Sequence, residues 1–120
     1  MTKAGSVNAA ATQARLWYWQ RISAFVLAAG LLIHLAIMIY AVRGGLSAAE
    51  ILGRTQGNWP LAGFYAALVL ACAVHVPIGV MTVAAEWLGW RGRSAYVATR
   101  LLGALIAFMG LRAVYGVAFA

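Results

Sequence analysis

Three long apolar runs constrain this chain more than any other feature of its sequence. They cover roughly residues 16–42, 61–88 and 96–118, and each is long enough to cross a bilayer, which takes about 20 helical residues. Because lipid offers the backbone no hydrogen-bond partner, single segments cross it as helices. The chain is 65% hydrophobic and 9% charged, whereas soluble domains carry about 25% charged residues. The sequence therefore predicts an all-α membrane protein with three transmembrane helices in a lipid bilayer.

The positions of the basic residues predict how the chain is oriented in the membrane. The net charge of +7 comes from nine basic and two acidic side chains. Most basic residues lie near the start of the first run or between the second and third, namely Lys3, Arg15, Arg21, Arg91, Arg93 and Arg100, and only Arg43 and Arg54 lie in the first loop. The positive-inside rule then predicts a cytoplasmic N-terminus and second loop, and a C-terminus outside. Since these charges alternate with apolar runs, they suit lipid head groups, and nucleic acid is not expected as a partner.

The segments outside the apolar runs are short. Residues 1–14 are small and polar, and we expect a flexible cytoplasmic tail before a transmembrane domain of residues 15–120. In the first loop, Ser47 and Glu50 have the spacing of a capping box, in which each side chain accepts a hydrogen bond from the other residue's backbone N–H. This spacing predicts a short helix over about residues 47–54, lying along the outer surface.

Two histidines near the middle of predicted spans are candidate functional residues, because ionisable side chains are rare and costly inside a membrane. As neutral imidazoles, His34 and His75 are suitable ligands for iron, copper or zinc. His34 lies thirteen residues past Arg21, and His75 lies thirteen residues before Leu88. At 1.5 Å per residue, each lies about 20 Å from the cytoplasmic end of its helix, so we expect the two histidines at a common depth.

The residues one helical turn from these histidines are small. Ala71 and Gly79 flank His75, and Gly30 precedes His34. Such neighbours leave a flat slot of the kind that a porphyrin face needs, but small residues also permit close helix packing in membranes. An interhelical hydrogen bond is the alternative role of each histidine, and both interpretations stay open from the residues alone.

An arginine in the outer half of the third run also has two interpretations. Arg112 lies eight residues from the end of the sequence, and arginine at the centre of a membrane helix costs about 2.5–3.5 kcal/mol. Extension of the side chain to the outer surface removes much of that cost. The alternative is a salt bridge to a haem propionate near the histidines.

Several classes of chemistry are excluded. The sequence has no Ser/His/Asp arrangement, no paired carboxylates and no glycine-rich phosphate loop, so we expect no catalytic residues and no enzyme activity from this chain alone. Its single cysteine, Cys72, provides neither a disulfide framework nor a thiolate cluster. Without a CxxCH sequence, haem is not attached covalently.

Two motifs resemble one family of membrane cytochromes. The segment QRISAF at residues 20–25, followed by a long apolar helix, resembles the HRISG-type start of helix one in the cytochrome b membrane anchor of succinate dehydrogenase and fumarate reductase. The segment AVHVPIGVMTVAAEWLG at residues 73–89 resembles the second helix of that subunit, which carries a haem b ligand. The resemblance covers residues 16–118, and it rests on both motifs occurring in order within three spans.

The resemblance implies roles for individual residues. His75 falls on the axial ligand of the haem b iron, and His34 resembles the helix-one histidine of relatives with two haems. Arg21 falls on the arginine that reaches the ubiquinone site and a haem propionate, and Ser23 matches the serine two residues later. Trp17 stands where a quinone-contacting serine often occurs.

The sequence also departs from the family pattern near the quinone site. Gln20 replaces the histidine before the arginine, and Ala24 replaces a glycine. The details of quinone contact and the type of quinone are therefore left open.

The family resemblance implies a larger assembly in a bacterial cytoplasmic (inner) membrane. The chain would be one membrane half, paired with a second anchor subunit or a second copy, with flavoprotein and iron–sulfur subunits on the cytoplasmic face that pass electrons to quinone. His34 and His75 would bind either one haem within the chain or two haems completed by the partner. The alternatives are a cytochrome b subunit of another quinone-linked dehydrogenase and a haem-free small transporter or assembly protein.

Overall fold

The computed structural model describes residues 3–120, which form four helices and no strand. They are α1 (Lys3–Gly44), α2 (Ala48–Thr55), α3 (Trp59–Trp87) and α4 (Arg93–Ala118). The helices α1, α3 and α4 are long and apolar enough to cross a membrane. The prediction of an all-α, multi-pass membrane protein with three transmembrane helices is confirmed, and α3 and α4 begin within three residues of the predicted positions.

Helix α1 begins earlier than the sequence predicts. Residues 3–14, expected as a flexible tail, are helical and exposed, while residues 1 and 2 lie outside the described residues. The alanines of this stretch, at positions 4, 9, 10, 11 and 14, favour helix even without tertiary contacts. At 1.5 Å per residue the 42-residue helix is about 63 Å long, roughly twice the thickness of the hydrocarbon core. One end of α1 therefore projects beyond the bilayer.

Helix α3 is the central element, because α1 and α4 both pack against it. Both helices run antiparallel to α3: along α1, Gln20 faces Gly79 and Gly30 faces Leu68. A Cβ atom at Gly30 would collide with the Leu68 side chain, so the missing side chain allows the close approach. Small residues at a helix interface are the usual means of packing in a membrane, where lipid chains are as apolar as the side chains.

The first loop contains the predicted short helix. Ser47 caps α2, with its Oγ accepting from the Glu50 N–H at 3.2 Å and a Glu50 carboxylate oxygen accepting from the Ser47 N–H at 2.9 Å. The predicted capping box is thus confirmed. Hydrogen bonding of the Glu50 carboxylate to the side chain and the backbone N–H of Ser47 holds the pKa of this carboxyl below its usual range.

Residues at the end of α2 donate hydrogen bonds to the last carbonyls of α4. The last carbonyls of a helix have no partner within it, and here the Thr55 hydroxyl donates to the Val117 carbonyl at 2.7 Å and the Gly57 N–H donates to the Ala118 carbonyl at 2.9 Å. The first loop and the C-terminal end of α4 therefore form one layer at the same end of the bundle.

The second loop closes the opposite end. Gly89 follows the helix with a φ of +62°, the left-handed conformation common at this position, and the Trp90 N–H donates to the Ala84 carbonyl at 3.0 Å. The Arg91 guanidinium donates to the Ala85 carbonyl at 3.1 Å. This tight turn brings Trp90 and Arg91 beside the end of α3 and the middle of α1.

Candidate functional site

The two motifs that carry the family resemblance meet in the structure. Ser23 of α1 lies against His75 of α3, with 3.3 Å between Ser23 Oγ and His75 Nδ1. Ser23 is only 4% exposed, and its Oγ also lies 3.1 Å from the Gln20 carbonyl, one turn earlier in α1. His75 is half-buried. The interhelical hydrogen bond considered for this histidine is therefore present, and it engages one ring nitrogen only.

The other side of His75 borders an apolar groove. The groove has a volume of about 460 Å³ and is lined by residues from the second half of α3 and the second loop, among them Gly79, Val83, Leu88 and Trp90. Gly79 is one of the small residues that the sequence identified beside the histidine. The groove thus surrounds the imidazole with mainly apolar side chains.

A larger cleft lies beside the second half of α3 and shares three lining residues with this groove. It measures about 730 Å³, within the range of small-molecule sites, and it lies between α1, the last turns of α3 and the start of α4. Trp17 and Arg21 line it, together with Gln20, Glu86 and Arg91. The structure thus brings two of the three predicted quinone-binding residues into one cleft, whereas Ser23 is not among its lining residues.

Trp17 and Arg21 contact each other within this cleft. The Arg21 guanidinium carbon lies 5.1 Å from the centre of the Trp17 ring, a cation–π arrangement. Both side chains are exposed within the single chain. Arg21 thereby presents a guanidinium with a defined plane to the cleft, which suits recognition of a carbonyl oxygen or a carboxylate.

Gln20 is a residue of this site for which sequence reasoning assigned no contact. Its Oε1 is buried without a hydrogen-bond partner among the described residues, while its amide nitrogen faces Gly79. An unpaired buried acceptor is costly, and Gln20 also lines the cleft. Its position in QRISAF, where the family has histidine, was the only sequence signal for it.

His34 makes a different contact. Its Nδ1 lies 3.0 Å from the Tyr65 hydroxyl of α3, and the two rings meet edge to face with centroids 5.7 Å apart. Sequence reasoning missed Tyr65, because a tyrosine within an apolar run has no distinctive spacing. The hydrogen bond considered as the alternative role of His34 is therefore present, and its role as a haem ligand stays a prediction.

The expected common depth of the two histidines is wrong. Because Ser23 is level with His75 and His34 is level with Tyr65, the histidines are separated by eleven residues of α1, or about 16 Å along the helix axis. The expectation assumed that Arg21 and Leu88 mark one level. In the structure, Gln20 faces Gly79, so α1 is shifted along α3 by more than two turns.

This separation excludes one of the two haem arrangements that the resemblance implies, namely a single haem bound by both histidines of the chain. Two imidazoles on opposite sides of one iron lie within a few ångströms of each other, so His34 and His75 of one chain cannot share an iron. Each would need a separate ligand from elsewhere.

Arg112 is not brought to His75. On the face where α3 and α4 pack, Gly103 faces Pro77 and Gly110 faces Val69, which sets Arg112 near the level of residue 67 of α3. That level is about 12 Å from His75 along the axis. Arg112 is exposed and lies towards the C-terminal end of α4, and extension of its side chain to the membrane surface stays a prediction.

No metal cluster of three or more His, Cys, Asp or Glu side chains occurs among residues 3–120. Comparison with known protein families, curated proteins and solved structures finds no match to this chain.

Proposed function

We propose that this chain is the cytochrome b membrane-anchor subunit of a succinate dehydrogenase- or fumarate reductase-type complex, holding haem b and forming part of a quinone site. The observation that carries the proposal is the contact between Ser23 and His75 at 3.3 Å. It joins QRISAF to the histidine of HVPIG, so the two motifs of the resemblance belong to one site rather than to separate parts of the chain.

The residues around His75 fit a haem. The imidazole is held at Nδ1 by Ser23 and borders the apolar groove of about 460 Å³, and bound haem supplies a one-electron carrier there. His34 is about 16 Å away along the axis, so any second protein ligand to the same iron would come from outside this chain. A second anchor subunit or a second copy of the chain would supply it.

The cleft of about 730 Å³ is the proposed quinone site. Arg21 hydrogen-bonds a quinone carbonyl and stabilises the negative charge that develops on reduction, an interaction strengthened by the low dielectric of the site. Trp17 holds the guanidinium by its cation–π contact, and its ring offers a flat apolar surface to the quinone ring. The apolar tail of a quinone bound in this cleft would extend into the lipid.

The same cleft suggests how the complex is arranged. Glu86 and Arg91 line it at the end that the charge distribution assigns to the cytoplasm. The flavoprotein and iron–sulfur subunits dock at this end and pass electrons to quinone across a short distance, in the cytoplasmic membrane of a bacterium. The exposed residues 3–14 of α1 extend on the same side and are accessible to these subunits.

A reduced-minus-oxidised spectrum tests the haem assignment. Membranes that contain the chain with its partner subunits should show b-type absorbance, and His75→Ala should abolish the component that depends on this chain. Cys72→Ala is the matched control, because Cys72 lies on the same helix and does not line the groove beside His75, so the absorbance should be unchanged. Absence of b-type absorbance with all partners present would exclude the cytochrome and favour a haem-free membrane protein.

Steady-state quinone kinetics test the cleft. Arg21→Gln removes a charge-assisted hydrogen bond worth about 1.5–3 kcal/mol, so kcat/KM for quinone should fall roughly 10- to 100-fold. The b-type absorbance that depends on His75 should be unchanged. Arg15→Gln is the control, because Arg15 lies on the same helix and does not line the cleft. Equal effects of the two substitutions would argue against a quinone contact by Arg21.

A further inference from the structure

We propose that Ser23 is a positioning residue for His75: its hydroxyl sets which ring nitrogen carries hydrogen and leaves Nε2 as the free ligand atom. The proposal rests on the haem-binding function proposed above and gives Ser23 a different role from the quinone contact expected from the family. Its basis is the position of the Ser23 hydroxyl, which is buried between α1 and α3 and has two polar neighbours, the Gln20 carbonyl and His75 Nδ1.

Counting hydrogens assigns both hydrogen bonds. A serine hydroxyl has one hydrogen to donate and can also accept, whereas the Gln20 carbonyl can only accept. If Ser23 donates to the carbonyl at 3.1 Å, its oxygen accepts from His75 Nδ1–H at 3.3 Å, and two hydrogen bonds form. If Ser23 instead donates to Nδ1, the carbonyl contact is lost and only one forms. The first arrangement is favoured, because a membrane interior supplies no water to replace the lost bond.

The favoured arrangement prepares His75 for metal binding. With hydrogen on Nδ1, the neutral ring carries its free electron pair on Nε2, at the far side from Ser23. Histidines that bind metals commonly donate their other ring N–H to a nearby acceptor, which fixes the tautomer and the ring orientation. Ser23 provides that acceptor here, and its burial keeps it from the cleft that Trp17 and Arg21 line.

The second histidine of the chain also has a hydroxyl partner at Nδ1, but the surroundings of that hydroxyl differ. The Tyr65 hydroxyl contacts His34 Nδ1 at 3.0 Å and has no other acceptor among the hydrogen bonds of residues 3–120. Donation from Tyr65 to Nδ1 uses the phenolic hydrogen, and it places the ring hydrogen of His34 on Nε2. The two histidines are therefore expected as different tautomers, and each serves as a reference for the other.

Solid-state ¹⁵N NMR of the histidine-labelled full chain in lipid vesicles, without haem, tests the proposal. Protonated and unprotonated ring nitrogens give widely separated signals, and with two histidines in the chain a His34→Asn sample assigns them. We expect His75 to be protonated at Nδ1. In Ser23→Ala the ratio of the Nδ1–H to the Nε2–H form should fall roughly two- to tenfold, the effect of one neutral hydrogen bond, and Ser23→Thr should restore it.

The outcomes separate this proposal from the proposed function. His34 signals that stay unchanged in Ser23→Ala show that α1 and α3 remain packed, so a shift confined to His75 supports positioning by Ser23. A His75 ring protonated at Nε2 in the unmodified chain, or a tautomer ratio that Ser23→Ala leaves unchanged, overturns the proposal even if haem binds. Loss of b-type absorbance in the complete complex, by contrast, is the result that defeats the proposed function.

Discussion

Substitution of Gly103 by alanine is the sharpest test of how α3 and α4 pack. A Cβ atom at this position would lie 2.8 Å from Pro77 Cγ and 2.9 Å from the Ala73 carbonyl oxygen, both well inside normal contact distance. Neither neighbour can move easily, since one belongs to a proline ring and the other to the backbone. Pro77 has no N–H to donate to the Ala73 carbonyl, so that oxygen is also left facing α4.

The size of the effect follows from two opposing contributions. Overpacking at a tight contact costs about 1–3 kcal/mol, while replacement of glycine by alanine within a helix gains about 1 kcal/mol. Gly63→Ala is the matched control, because a Cβ at Gly63 has nothing within 4 Å and only the gain applies. Since the helix contribution cancels, Gly103→Ala should be less stable than Gly63→Ala by about 1–3 kcal/mol.

The assay is unfolding by SDS in mixed micelles, followed by the fluorescence of the five tryptophans. The midpoint should shift to lower SDS in Gly103→Ala and stay the same or rise in Gly63→Ala. If both variants unfold at the same SDS fraction, α4 does not pack closely against Pro77. The position of Arg112 relative to α3, which was derived from that packing, would then be wrong as well.

Two further predictions concern hydrogen bonds of the first loop and of α1. The pKa of Glu50 is lowered in the folded state by hydrogen bonds from Ser47. Ionised Glu50 therefore stabilises α2 fully above its ordinary pKa of 4.5, and this stabilisation is lost as the pH falls through the lowered pKa of the folded state. Protection of α2 amides from hydrogen exchange should fall below that pH. Ser47→Ala should reduce this protection about fivefold at neutral pH and weaken its pH dependence. Equal protection in the unmodified chain and in Ser47→Ala would contradict the capping box. Tyr65→Phe should lower the free energy of unfolding in SDS by about 0.6 kcal/mol, and this loss should vanish when His34 is also replaced by Phe. An undiminished loss in the His34→Phe background would show that Tyr65 stabilises the bundle without His34.

The location of the candidate site was partly predictable from QRISAF and the isolated histidines. Arg21 and Trp17 line one cleft as two of the predicted quinone residues. Gln20 and Tyr65 were not predicted as contacts, because a polar side chain in a helix acquires its partner only from the neighbouring helix. Ser23 shows the same limit: its residue type indicates a hydrogen bond, but only the packing of α1 on α3 directs it to His75.

The sequence by itself determined the three spans, the short capped helix and the distribution of charge. These follow from local properties, namely the transfer of apolar side chains into lipid, the pairing of a cap with a residue three positions on, and the count of basic residues in each loop. Only the tertiary structure decided the relative depth of the helices. Hydrophobicity fixes which residues enter the bilayer, but a long helix such as α1 can slide past its neighbour with little change in lipid contact. Contacts of a few small residues, Gly30 against Leu68 and Gln20 against Gly79, set that position, and they separate two histidines that the sequence suggested were level.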